Sequence, residues 1–370
     1  MSEHLKYWVW LSSIPKLGAV KCNQLINHFG DPKNIWDASL SEFKRLPFLT
    51  GQIADLLSDV RYKEEALKQF KVINDLNIKI ISVKDGLYPY YLRNIHDPPI
   101  ILYVKGSILK EEKCVAVVGS RRATSYGMKM AEKIAYELAG LGITVVSGMA
   151  RGIDTCSHNG ALRAGGRTVA VLGCGLDIAY PSENEELMNK IAAAGAAISE
   201  YPPGVRPMPM NFPARNRLIS GISQGIVVIE AGERSGSLIT AEFALEQGRE
   251  VFAVPGNINS FTSVGTNKLI RDGAKIVTCV EDIIEELAGF NYTGINTGIE
   301  RKEGFDESKF RGLDSDERKL VEFLKTEPLH IDVLANKSGF GVKVVNSLLI
   351  MLELKGIVEQ APGKIFKIKE

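Results

Sequence analysis

Two stretches carry the residue types best suited to chemistry. Arg215, Asn216 and Arg217 form an RNR triplet between Pro213 and Gly221, and the segment AGERSGSLIT then sets Gly232, Ser235, Gly236, Ser237 and Thr240 in one turn. Guanidinium forks grip phosphate oxygens in pairs, each charge-assisted bond contributing roughly 1.5–3 kcal/mol where water is excluded. A glycine- and hydroxyl-rich turn that opens a helix adds backbone N–H donors and the positive end of the helix dipole. The pair of features points to a polyphosphate or a nucleic-acid backbone. The plainer reading is that the arginines cap the sheet edge or pair with Glu200 and Glu230.

The elements that must hold these residues are legible in the hydrophobic pattern. Apolar runs at Gly225 to Ala231 and Glu250 to Pro255 flank a helix-period segment from Leu238 to Gln247, which makes a strand–turn–helix–strand unit. The same unit recurs upstream. CVAVVGSRRATSYG gives a strand, a turn with Gly119, Ser120 and Arg121, then Thr124 and Ser125 as caps of a helix reaching Leu141. ITVVSGMARGID repeats it with Ser147, Gly148 and Gly152, TVAVLGCGLDIAYP with Gly173, Gly175 and Tyr180, and AISEYPPG ends a strand at Glu200. A further strand is expected from Lys275 to Thr278. This alternation predicts an α/β fold, a doubly wound, extended Rossmann-like parallel sheet whose ligands bind beyond the carboxyl ends of the strands. All the glycine–hydroxyl turns fall at that edge, with Phe212, Tyr180 and Tyr201 as candidates for stacking against a base.

Length and composition set the frame. A chain of 370 residues exceeds one ordinary core. Residues 1–75 read as a small helical domain of helix-hairpin-helix or SAM-like type, because SIPKLGAVKCNQLINHFG and RLPFLTGQIADLLSDV each set Pro and Gly before an amphipathic helix. Those turns serve either packing or a phosphate contact. Residues 76–289 form the α/β domain, 290–312 a Gly-, Asn- and charge-rich linker, and 313–370 three helices with a short strand pair around Pro362, a winged helix. Its recognition position, Val342 to Lys355, offers mainly Lys343 and Lys355 as cations, so duplex reading, protein contact and packing all stay open. A net charge of +1 means that any affinity for nucleic acid must be local.

Several chemistries find no residues. The five cysteines, Cys22, Cys114, Cys156, Cys174 and Cys279, are scattered without a CxxC pair, which supports neither a disulfide framework nor a zinc site and fits a reducing compartment. The first turn lacks GxGxxG and no GxxxxGK[ST] occurs, so neither a dinucleotide nor a Walker-type ATPase site is expected, and no cofactor or metal is assigned. His96 beside Asp97 has no nucleophile in view. Most of Asp154, Asp177, Glu200, Glu230 and Glu242 are expected to cap helices and pair with arginines rather than to act as acids or bases. No run reaches membrane-spanning length, and a cytoplasmic, non-membrane protein is expected.

Taken in order, GSRRATSYG, SGMARGID, GCGLDIAYPSEN, SEYPPGVRP, NFPARNRLISG, EAGERSGSLITAEFALEQGREVFAVPG and VGTNKLIRDGA, preceded by DGLYPYYLRNIHDPPIILYVKG, resemble the DNA-processing protein A family (DprA, also called Smf). The resemblance is dense over residues 80–285. It implies a non-enzymatic protein of natural transformation that binds and protects incoming single-stranded DNA and helps load RecA recombinase, working as a homodimer joined through the α/β domain. It carries phosphate contacts to Ser120, Arg121, Asn216, Ser235, Gly236 and Thr240; Gly119, Ser147, Gly148, Arg215, Arg217 and Ser237 join them as chemically suited neighbours. Many relatives have a lysine just behind the Tyr-Pro of the third turn, where this chain has Ser182, Glu183 and Asn184; Lys190 is the nearest substitute along the following helix. The competing reading is a phosphoribohydrolase-like enzyme with Glu230 or Glu242 assisting N-glycosidic cleavage, although GERSGSLITAE departs from that family's PGGxGTxxE pattern. A third is an adaptor that binds only protein.

Overall fold

The computed structural model describes residues 2–287, 313–326, 329–361 and 363–369. The expected linker at 290–312 and Pro362 in the expected wing turn lie outside the described residues. Two units are distinguished, Met1–Phe290 and Asn291–Glu370.

In the first unit, β1 (Lys79–Ser82), β2 (Ile101–Gly106), β3 (Cys114–Val118), β4 (Thr144–Ser147), β5 (Thr168–Leu172), β6 (Ala196–Ser199), β7 (Gly225–Val228), β8 (Glu250–Ala253) and β9 (Lys275–Ile276) form one sheet of nine strands among the described residues. Their order is β1-β2-β6-β5-β4-β3-β7-β8-β9. From β6 to β9 all pairs are parallel, and β1 and β2 extend the β6 edge antiparallel. Strands β3 to β7 are buried along their whole length, because helices cover both faces and leave no position for a polar side chain to reach water.

The strand period of two splits the core between the faces. Ala170 and Leu172 of β5 pack toward Trp8, Trp10, Leu25, Phe43 and Ile73 of the N-terminal helices. Val169 and Val171 pack toward Leu218, Ile219 and Ile222 of the helix Asn211–Ile222. The N-terminal helices thus share a continuous apolar core with the sheet. Several of them start on side-chain caps: Thr50 accepts from the Ile53 N–H, and Ser39 with Glu42 forms a reciprocal capping box. The two Pro- and Gly-bearing turns connect Leu5–Ser13 to Gly18–Phe29 and Leu40–Lys44 to Gly51–Ser58.

The order of strands decides where a ligand meets the sheet. After β3 the chain winds toward β6, and it returns to the other side of β3 only with β7. The carboxyl ends of β3 and β7, paired as far as Val118 and Val228, therefore send their connections in opposite directions and leave a crevice.

The second unit has helices Ser315–Thr326, Ile331–Ser338 and Val342–Leu354, and strands β10 (Leu329–His330), β11 (Val358–Ala361) and β12 (Ile365–Ile368) in the order β10-β12-β11. The short strand β10 was not expected; its two residues carry too little pattern to be read alone. Leu320, Leu334, Leu349, Leu352 and Phe366 fill the core. Lys355, one of two cations expected on the recognition helix, is tied to the buried Glu317 by contacts of 2.6 and 2.7 Å. The exposed side of that helix carries Val344, Ile350, Met351 and Leu354.

Candidate nucleic-acid interface

A basin of about 790 Å³ lies in the crevice between the ends of β3 and β7. The β3 turn supplies Gly119, Ser120, Arg121 and Arg122 to it. The β7 turn supplies Gly232, Arg234, Ser235, Gly236, Ser237 and Thr240, and the helix after β6 supplies Phe212, Arg215 and Asn216. Ala150, Asp154, Tyr180 and Phe261 close the remaining sides.

Local chemistry explains each wall. Thr124 caps the helix Ser125–Gly140, accepting from the Gly127 N–H at 3.1 Å, and Glu230 holds Thr124 through its N–H at 2.9 Å and its hydroxyl at 2.5 Å. Glu230 is therefore spent on joining the β3 and β7 turns, the capping role expected of it. Ser235 caps the helix Gly236–Glu246, with its Oγ 2.8 Å from the Ser237 hydroxyl. A Cβ on Gly236 would meet no atom within 4 Å, so this helix start lies bare toward the basin. Gly119 and Gly148 are the opposite case. A Cβ there would stand 2.7 Å from Ile153 and 2.6 Å from the Arg215 guanidinium, so these glycines admit close packing beneath the basin.

The two arginines of the RNR triplet part company. Arg215 is only 3% exposed; it donates to the Gly148 carbonyl at 2.8 Å and to the Val171 carbonyl, and burial pulls its pKa down to about 10 although Asp154 opposes the shift. It is a cation set into the floor. Arg217 faces elsewhere and does not line the basin: it donates to Glu200 at 2.5 Å and to the Asp97 carbonyl at 2.9 Å. That is the pairing named as the plainer reading. Burial raises the Glu200 carboxyl, and Arg217 draws it back. Asn216 stays at the basin, its amide donating to the Gly236 carbonyl at 3.2 Å.

Nine of the twelve residues singled out in the sequence meet at the basin: Gly119, Ser120, Arg121, Arg215, Asn216, Ser235, Gly236, Ser237 and Thr240. Ser147 is wholly buried with its hydroxyl on the Val117 carbonyl, Gly148 lies against Arg215, and Arg217 is held by Glu200. Sequence reasoning passed over Arg122, Arg234 and Phe261. The first two sit inside motifs already quoted, and their exposure beside Arg121 was the missing signal. Lys190 pairs with Glu186 on its own helix and does not line the basin, while Glu183 is bound by Arg151.

Electrostatically the basin is one-sided. Arg121, Arg122 and Arg234 are exposed above the buried Arg215, and Asp154 is the carboxylate lining it. Asp154 accepts from the N–H groups of Gly148 and Ala150, and burial raises its carboxyl against the pull of Arg215. An aromatic shelf crosses the same space. The Phe212 ring carries the Arg121 guanidinium at 5.4 Å and stands 5.3 Å from Tyr180, while Phe261 is 73% exposed. Tyr201, the third stacking candidate, does not line the basin.

Residues 79–288 match the family model of the DNA recombination-mediator protein A, and residues 308–364 match the DprA winged helix domain. The chain is 31% identical over 393 residues to Protein Smf of Synechocystis sp., covering 96% of this chain and 97% of that one. Among solved structures it is similar to DNA processing protein A from Streptococcus pneumoniae, with a TM-score of 0.63 and 36% identity, over 76% of this chain and 98% of the other. It is also similar to DNA processing protein A from Helicobacter pylori, a structure described for its unique single-stranded DNA binding mode. That match has a TM-score of 0.50 and 30% identity, over 56% of this chain and 94% of the other.

Proposed function

The chain belongs to the DNA recombination-mediator protein A family, and from that premise we propose that it binds single-stranded DNA across the basin, without catalysis and independently of sequence. The observation that carries the reading is the set of three exposed arginines, Arg121, Arg122 and Arg234, around a bare helix start and an aromatic shelf. Arginines and backbone N–H groups take successive phosphates, and Phe212 and Tyr180 offer ring faces to the bases, which a duplex keeps stacked. The description of the Helicobacter pylori relative supports the choice of a single strand.

The wider role follows from the family resemblance. The protein protects incoming single strands during natural transformation and delivers them to RecA recombinase in the cytoplasm, as a homodimer paired through its α/β unit. Against the enzyme reading weighs the placement of its two candidate acids: Glu230 is hydrogen-bonded to Thr124, and Glu242 does not line the basin.

The test is fluorescence anisotropy of a labelled oligothymidine with wild type, Arg121→Ala and Arg234→Ala, with an unlabelled duplex as competitor. Binding that prefers the single strand and weakens in both variants supports the reading. Release of a base from a nucleoside monophosphate, abolished by Glu242→Gln, would replace it with the hydrolase.

A further inference from the structure

One side of the basin is closed by Phe261 and Thr262, which belong to the connection between β8 and the helix Val264–Arg271. That connection is fastened to the end of β7. The Ala231 N–H donates to the Thr262 carbonyl at 2.8 Å, and the Gly265 N–H donates to the Ala231 carbonyl at 2.8 Å. At the root of the connection, the Asn267 carboxamide accepts from the Gly256 N–H at 3.2 Å and donates to the Gly256 carbonyl at 3.0 Å. The Ser260 and Thr262 hydroxyls, 2.9 Å apart, bracket Phe261. Its ring is seated on Gly232, where a Cβ would stand 2.8 Å from it, so the lack of a side chain on the β7 turn makes room for the ring.

Core packing does not account for this placement, since Phe261 is held by its backbone and yet 73% exposed. Among the described residues no other ring or cation lies on it, whereas Phe212 already shares its surroundings with Tyr180 at 5.3 Å, Arg121 at 5.4 Å and Arg215 at 6.0 Å. Phe261 shares the basin lining with Arg234 and the bare helix start at Gly236, groups suited to phosphate. Ile258, the other large apolar residue exposed on this connection, does not line the basin. An open ring among cations matches a strand of nucleotides, which brings an aromatic face and a negative charge together at every step.

We propose that Phe261 is a second stacking platform of the basin, taking one base of the bound strand on its open side while Arg234 and the helix start at Gly236 hold neighbouring phosphates. The inference rests on the single-strand reading and extends it. Phe212 and Tyr180 make one point of base contact, Phe261 makes another, and the exposed arginines serve the stretch of strand between them. Such a contact makes no choice of sequence, because every base has a π-face.

The experiment is anisotropy of two labelled strands of equal length, an oligothymidine and a strand of abasic residues, with the full chain, Phe261→Ala, Phe261→Trp and Arg121→Ala. Phe261→Ala weakens oligothymidine binding by about tenfold, the order expected for one stacked base, and leaves the abasic strand unaffected. Arg121→Ala weakens both strands, because it removes a phosphate contact. Phe261→Trp keeps the affinity for oligothymidine, and its indole emission, taken over the wild-type signal of Trp8, Trp10 and Trp36, is quenched as the strand binds. Wild-type affinity in Phe261→Ala beside a loss in Arg121→Ala overturns this inference alone. An equal loss on both strands in Phe261→Ala also overturns it, as does a change in self-association, read by sedimentation, with DNA affinity intact, which would make Phe261 a protein contact. No oligothymidine binding by the wild type removes the basin reading and this inference with it.

Discussion

Salt dependence discriminates most sharply between an arginine that meets phosphate and one that holds the fold. Three exposed arginines line the basin, Arg121, Arg122 and Arg234. If each neutralises one phosphate of a single strand, the log–log slope of affinity against salt is about −2.1, and raising salt from about 50 to 200 mM weakens binding about twentyfold. Removing Arg121 leaves a slope of about −1.4 and a loss of about sevenfold over the same range. Arg217 serves as the internal control. Its guanidinium is engaged by Glu200 and Asp97, so Arg217→Ala keeps the wild-type slope while lowering stability by roughly 2–4 kcal/mol, since Glu200 is left as a mostly buried, unpaired carboxylate. The assay is anisotropy of a labelled oligothymidine at four salt concentrations, with urea unfolding in parallel. Equal slopes for wild type and Arg121→Ala, or an equal drop for Arg217→Ala, would refute the assignment of phosphates to the basin.

Three further outcomes follow from other contacts. Phe212→Ala is expected to weaken single-strand binding by about 1–3 kcal/mol at every salt concentration without changing the slope, because stacking releases no counterions; a changed slope would count against the shelf. Arg215→Met is expected to destabilise the fold by about 3–5 kcal/mol in urea, because the Gly148 and Val171 carbonyls lose their donor and Asp154 loses the cation beside it. His158 is fully buried, with Nδ1 2.7 Å from the Thr168 hydroxyl, and burial together with Arg215 pulls its pKa from 6.5 to about 3. Its contribution to stability is therefore complete above pH 6.5 and is lost as the pH falls from there toward 3, where only the unfolded chain takes the proton, at up to about 1.4 kcal/mol per pH unit. Urea midpoints between pH 7 and 4 should fall more steeply for wild type than for His158→Gln, and parallel curves would contradict it.

The glycine turns, the strands and the edge at which they gather were all legible in the chain, because each depends on residues close in sequence. A buried strand such as Cys114–Val118 is apolar throughout, and a cap such as Thr124 sits three residues before the N–H that it satisfies. Boundaries shifted by a few residues: the strand expected to run to Ala231 ends at Val228, and that expected to reach Thr278 ends at Ile276. The antiparallel pairing of β2 onto β6 was not legible, since it joins residues about ninety positions apart.

The fates of Arg215 and Arg217 mark the limit. The triplet itself announced a cationic cluster, and the turn after β7 announced an anion site; both are properties of residue type and spacing. Two residues apart on a helix, however, two side chains point some 200° apart around its axis. One enters the floor of the basin and the other meets Glu200. Which faces which depends on how the helix Asn211–Ile222 lies against β3, β4 and β5, and that is set by the packing of Leu218, Ile219 and Ile222 onto the sheet. Local pattern gathered glycine turns, hydroxyls and arginines at one edge of the sheet; only the packed sheet, by choosing the neighbours of each arginine, decided which of those cations stay open to solvent there.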